Sequence, residues 1–166
     1  MRDKKRIVGV DTYMPVLCEL LAQGKEVSLT ITGNSMSPFM AHGRDEIMIS
    51  PPDGCWKKGD MAFFRRINGQ YVMHRICRVD GEGNCFFVGD AQQYIEGPVC
   101  PEQIFGKITK VKRKGKWIGP GDFWWEFLSM YGSISYHCAR HAGKSTVFYG
   151  NSRKNLLYYN AMNTLE

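Results

Sequence analysis

A serine, a histidine and an aspartate with complementary chemistry stand at Ser35, His74 and Asp90. Ser35 lies in the turn-forming string Gly33-Asn34-Ser35-Met36-Ser37-Pro38, directly after the alternating run Val27-Ser28-Leu29-Thr30-Ile31. His74 follows 39 residues later in Val72-Met73-His74-Arg75-Ile76, and Asp90 comes 16 residues after that in Val88-Gly89-Asp90. A serine hydroxyl is a poor nucleophile until a base takes its proton, and a third group usually orients that base. The set therefore predicts acyl-transfer chemistry, with Ser35 as nucleophile, His74 as base and Asp90 as orienting acid. Gly33, Asn34 and Ser35 form a tight turn whose amides would face an oxyanion, and Met36 and Pro38 stand beside the substrate path. Each residue alone has a plainer reading: a polar turn, a core histidine on an apolar strand face, a Gly-Asp turn. The combination of three is what carries the chemical reading.

The elements that must position these side chains are mostly strands. Residues 11–23 read as a short helix, capped by Asp11 or Thr12, ended by Gly24 and striped by Val16, Leu17, Leu20 and Leu21. From Val27 the apolar period becomes two. Strands are predicted at Val27–Ile31, Glu46–Ile49, Met61–Arg66, Tyr71–Val79, Cys85–Val88, Ile104–Lys112 and Lys116–Ile118. Asn68-Gly69 is a strong hairpin signal between two of them. On His74's strand, Val72 and Ile76 share its face, while Tyr71, Met73, Arg75 and Cys77 point the other way. The expected fold is mainly β, a coiled sheet or partly open barrel with a short N-terminal helix over residues 1–118. A C-terminal helical extension follows over 119–166, with a helix from Asp122 to about His141 and a weaker one from Arg153 to Met162.

The 166 residues carry a net charge of +6, with basic residues grouped at 2–6, 65–78 and 107–116. No helix-turn-helix or aromatic RNA-binding signature accompanies them, so solvated strand faces are expected rather than a nucleic-acid surface. Six cysteines at 18, 55, 77, 85, 100 and 138 form no CxxC pair, which predicts reduced, structural thiols in a cytoplasmic protein. No apolar run reaches transmembrane length, and no secretory leader is apparent. His137 and His141 stand at i, i+4 but lack a third ligand, so no metal and no cofactor are expected. Phe123, Trp124, Trp125 and Phe127 read first as packing against the sheet, with a membrane surface or a homodimer as alternatives.

The boxes around Ser35 and His74 resemble the signal peptidase I family. Gly33-Asn34-Ser35-Met36-Ser37-Pro38 is similar to its Ser-Met-x-Pro box, and Lys58-Gly59-Asp60-Met61-Ala62-Phe63-Phe64-Arg65 to its Gly-Asp-Val-Val-x-Phe segment. His74-Arg75-Ile76-Cys77-Arg78-Val79 resembles the His-Arg-Ile box of the endoplasmic-reticulum and archaeal branch. Gly89-Asp90 resembles the Gly-Asp-Asn box, and Gly106-Lys107-Ile108 the closing Gly-x-Val strand. The five boxes occur in order over about Val27 to Val111. The resemblance implies a mostly-β peptidase fold, a signal peptidase/LexA-like sheet, that hydrolyses peptide bonds through an acyl-enzyme. It implies Ser35 as nucleophile and oxyanion donor, and His74 where the bacterial branch and LexA-type self-cleaving repressors carry a lysine. Asp90 would orient His74, and Glu96 stands where the endoplasmic-reticulum pattern has a further acid. The departures are the missing transmembrane anchor, Ala91-Gln92 after Gly-Asp, an extra residue in Gly43-Arg44-Asp45, and Gly33 where many members carry an oxyanion-assisting serine. Loss of one such donor lowers rates by roughly 100- to 1000-fold. The expected partner is an extended, leader-like peptide or protein segment. The alternatives are a peptide-binding module without turnover and, less favoured, an autoprocessing regulator.

Overall fold

In the computed structural model, which describes residues 10–127, 129 and 130, the N-terminal segment folds as helix α1, Val10–Ala22. Its buried face is Met14, Leu17 and Leu21, while Val16 from the expected stripe stays exposed. The face is rotated because Met14 and Leu17 are three apart and Leu21 is four further on, one side of a 3.6-residue turn. Gly24 ends the helix at φ 79°, with its amide on the Leu21 carbonyl at 2.9 Å, a conformation that a residue with a Cβ adopts at a cost.

Eight strands follow: β1 (Val27–Thr30), β2 (Glu46–Ser50), β3 (Met61–Arg65), β4 (Tyr71–Val79), β5 (Cys85–Val88), β6 (Glu96–Val99), β7 (Ile104–Arg113) and β8 (Lys116–Ile118). They form one antiparallel sheet in the order β1-β2-β7-β3-β4-β5-β6, with β8 pairing β7 off that path. The sheet is mainly β architecture, open at β1 and β6, as the alternating sequence predicts. Strand β6 is the element the sequence hid. Gly97 and Pro98 interrupt it and read as a turn, but a proline is tolerated on an edge strand, and among the described residues β6 pairs only with β5.

The two faces of the sheet carry different cores. Met14, Leu17 and Leu21 of α1 pack with Ile47, Ile49, Met61, Phe63 and Met73, and with Met36, Phe39 and Met40 of the Ser35 loop. The other face gathers Ala62, Phe64, Ile76, Cys85, Phe87 and Val99. Strand pleating explains the division: Met61, Phe63 and Met73 alternate with Ala62, Phe64 and His74. A helical stretch begins at residue 123, and Trp125 packs into the first core, whereas Phe123, Trp124 and Phe127 remain exposed. The expected helices to His141 and over 153–162, and the His137/His141 pair, lie outside the described residues. Among the described residues no helix is long and apolar enough to cross a membrane.

The basic strand β7 is largely neutralised locally. Lys107 reaches Asp53 at 3.0 Å and Asp60 at 3.1 Å, Lys112 reaches Glu46 at 3.3 Å, and Arg113 lies 3.6 Å from the buried Asp45.

Candidate active site

The Ser35 turn is built from the chain's own backbone. Gly33 adopts φ 99°, a left-handed conformation that favours glycine over residues with a Cβ. Its amide donates to Nδ1 of His42 at 3.0 Å, so Gly33 is not an oxyanion donor. The Asn34 carbonyl accepts from the Ser37 amide at 3.0 Å, and the Met36 carbonyl from the Met40 amide at 2.8 Å. The Ser35 amide, like those of Asn34 and Met36, donates to no described acceptor. Met36 is buried in the first core, so it props the turn from beneath rather than lining an open groove; Pro38 is exposed.

The turn is tied to the end of β5. The Ser35 carbonyl accepts from the Ala91 amide at 2.8 Å. Gly89 passes so close that a Cβ there would stand 2.7 Å from the Ser35 carbonyl oxygen and 2.8 Å from Oε1 of Gln92. Arg75 pairs with Val88 across β4 and β5, so Gly89, one residue on, comes opposite His74 in the continued register. Opposed residues in an antiparallel pair project to the same side. The Ser35 backbone lies against the segment that follows β5, while the Met36, Phe39 and Met40 side chains of its loop pack with Met61, Phe63 and Met73. Gly89→Ala is expected to push the turn away and lower stability by about 1–3 kcal/mol, as overpacking does. Urea unfolding would measure that loss, and hydrogen exchange would show the Ala91 amide unprotected; an Ala91 amide as slow as in the parent chain would contradict the contact.

His74 is buried at 2% exposure, with its ring centroid 6.3 Å from that of Phe64. Its Nδ1 is 3.8 Å from Oε2 of Glu96 and has no hydrogen-bond partner. Glu96 is itself fully buried, and Arg66 takes both of its oxygens, Nε to Oε1 at 2.5 Å and Nη2 to Oε2 at 2.6 Å. Burial first, and the Arg66 charge second, pull the His74 pKa down to about 3. The nearby carboxylate does not offset this because its charge is already matched by the guanidinium fork. The imidazole is therefore neutral at pH 7, free to accept a proton but weakly basic. Among the described residues no hydrogen bond joins the Ser35 hydroxyl to the His74 ring.

Asp90 does not orient His74. Its carboxylate binds Arg75, Nε to Oδ1 at 2.9 Å and Nη2 to Oδ2 at 2.8 Å, with both side chains buried. The reason is the pleat. Asp90 lies two residues beyond Val88, on the side of Arg75, and Arg75 and His74 are neighbours on one strand that face opposite ways. The acid beside His74 is instead Glu96, delivered by β6, whose register sets it against Phe87. Arg75 also donates Nη1 to the Gly59 carbonyl at 3.1 Å and lies 5.1 Å over the Phe39 ring. It thereby anchors both ends of the Ser35 loop's support, Phe39 directly and Ala91 through Asp90. Arg66, Arg75 and His42 had no signal in the sequence as site residues. Arg75 sits in the His-Arg-Ile box, but only the alternation of faces reveals its partner.

The chain matches no protein-family model, and no curated protein matches it.

Proposed function

We propose that the chain is a serine peptidase-like protein that hydrolyses a peptide bond in an extended, leader-like segment, with Ser35 as nucleophile, His74 as base and Glu96 as the acid behind it. The observation that supports this reading is the packing of the Ser35 turn on Gly89, the residue after Val88, whose β4 partner Arg75 is the chain neighbour of His74. In the proposed reaction, Ser35 Oγ adds to the scissile carbonyl carbon while its proton passes to His74. The carbonyl oxygen becomes an oxyanion at the Ser35 amide. Collapse expels the amine, which takes the proton from His74, and leaves an acyl-serine. Water repeats the sequence, releasing the acid and restoring the hydroxyl. Strand β1 supports a route for the substrate. Among the described residues it is an end strand that pairs only with β2, and it runs into the Ser35 turn. A peptide adding to its open edge would be led to the nucleophile.

A second reading, a peptide-binding module on the same fold, is favoured by one feature: a base whose Nδ1 is unpartnered and whose pKa is depressed. A serine-reactive acylating probe separates the two. The peptidase reading expects one adduct on the intact chain and none on Ser35→Ala. It also expects labelling slowed by roughly 100-fold or more in His74→Asn, the usual contribution of a general base. A folded protein that never acquires the adduct would leave the binding module.

A further inference from the structure

Glu96 stands between two claimants. His74 Nδ1 needs an acceptor if the ring is to hold its proton there and present Nε2 as a base, the arrangement an orienting acid normally enforces. Glu96 is the acid beside it, but at 3.8 Å it stands beyond hydrogen-bond length, held there by the Arg66 fork, which donates to each of its oxygens. The charged groups placed beside His74 are Glu96 from β6 and Arg66, the residue after β3; its ring lies beside that of Phe64, and Ala62 pairs with it across β3 and β4.

Arg66 differs from Glu96 and His74 in having somewhere to go. Its side chain keeps 15% exposure, against 1% for Glu96 and 2% for His74. It opens the hairpin turn, where its amide donates to the Gln70 carbonyl at 2.8 Å and its Nη1 to Gln70 Oε1 at 2.8 Å. Arg66 also lines a depression of about 510 Å³, together with Arg65, Ile67, Tyr71, Glu102 and Gln103. A guanidinium that swings into that space releases the Glu96 carboxylate to close the 3.8 Å gap to the imidazole.

We propose that Arg66 is a removable clamp on Glu96, and that its withdrawal hands the carboxylate to His74 and completes the base. The consequence for turnover rests on the peptidase reading, but the exchange of partners does not. Arg66 is a positioning residue in this scheme, acting on the chemistry only through Glu96.

The test is the titration and tautomer of His74 read by nitrogen and proton NMR on the full chain, without substrate. In the parent protein the ring stays neutral through pH 4, and its Nδ1 shows no strong hydrogen bond. In Arg66→Gln the midpoint should rise by roughly 1–3 units, the usual effect of an opposite charge within reach, and the proton should settle on Nδ1. Arg66→Lys keeps a charge but not the fork, and should give a smaller rise in the same direction; it serves if the Gln variant does not fold. The rise should vanish when Glu96→Gln is added to either variant. A midpoint that does not move in a folded Arg66 variant, or that moves equally without the Glu96 carboxylate, overturns the clamp. If the midpoint moves as expected while the acylating probe never labels Ser35, the clamp stands and the peptidase reading falls.

Discussion

Arg75→Met should lower the unfolding free energy by about 3–5 kcal/mol, the loss typical of a buried ion pair deprived of one partner. For a domain of this size that corresponds to a melting temperature lower by roughly 10 °C. The pair with Asp90 is bidentate at 2.9 and 2.8 Å, and both side chains are almost fully enclosed. Removal of the guanidinium leaves a buried carboxylate unpaired and takes away the donor to the Gly59 carbonyl as well. The loss is dominated by the orphaned charge, so adding Asp90→Asn to Arg75→Met should restore much of it. Urea unfolding of the single and double variants measures both statements. A single variant within about 1 kcal/mol of the parent would show that the pair contributes little, because exposed pairs behave that way. The same experiment bears on the site: Asp90 that works with Arg75 is a structural residue, whereas an Asp90 that orients the base would spare stability and abolish reaction.

Acidification is expected to weaken the fold well before ordinary carboxylates titrate. The His74 pKa is pulled to about 3 by burial and by Arg66, while in the unfolded chain it returns to about 6.5. Between those values the unfolded state binds a proton that the native state refuses. The stability contribution is fully present above pH 6.5 and declines as pH falls, at up to about 1.4 kcal/mol per pH unit, for at most about 5 kcal/mol by pH 3. Unfolding measured from pH 7 to 4 should display this slope in the parent chain and lose it in His74→Asn. A parent chain whose stability is flat over that range, or a slope that survives His74→Asn, would contradict the neutral buried imidazole. The same depression has a kinetic face. A base that is neutral throughout this range gives a rate with no acid limb near pH 6–7, in contrast to a histidine of ordinary pKa.

The strand faces, the hairpin at Asn68-Gly69, the helix stop at Gly24 and the tight turn around Ser35 were legible in the chain because each depends on a local rule: an alternating period, a left-handed glycine, a run of turn formers. The open, mainly β sheet follows from them. The edge strand Glu96–Val99 was not legible, since a Gly-Pro pair obeys the turn rule until pairing on one side alone makes it tolerable. Partner choice was beyond the sequence for a related reason. His74 and Arg75 are adjacent in the chain and opposite in space, so the aspartate 16 residues on went to the arginine and the glutamate beyond it came to the histidine. Chain spacing orders residues along a line. Only the pleat and the register of β4, β5 and β6 decide which carboxylate stands on which side of the sheet.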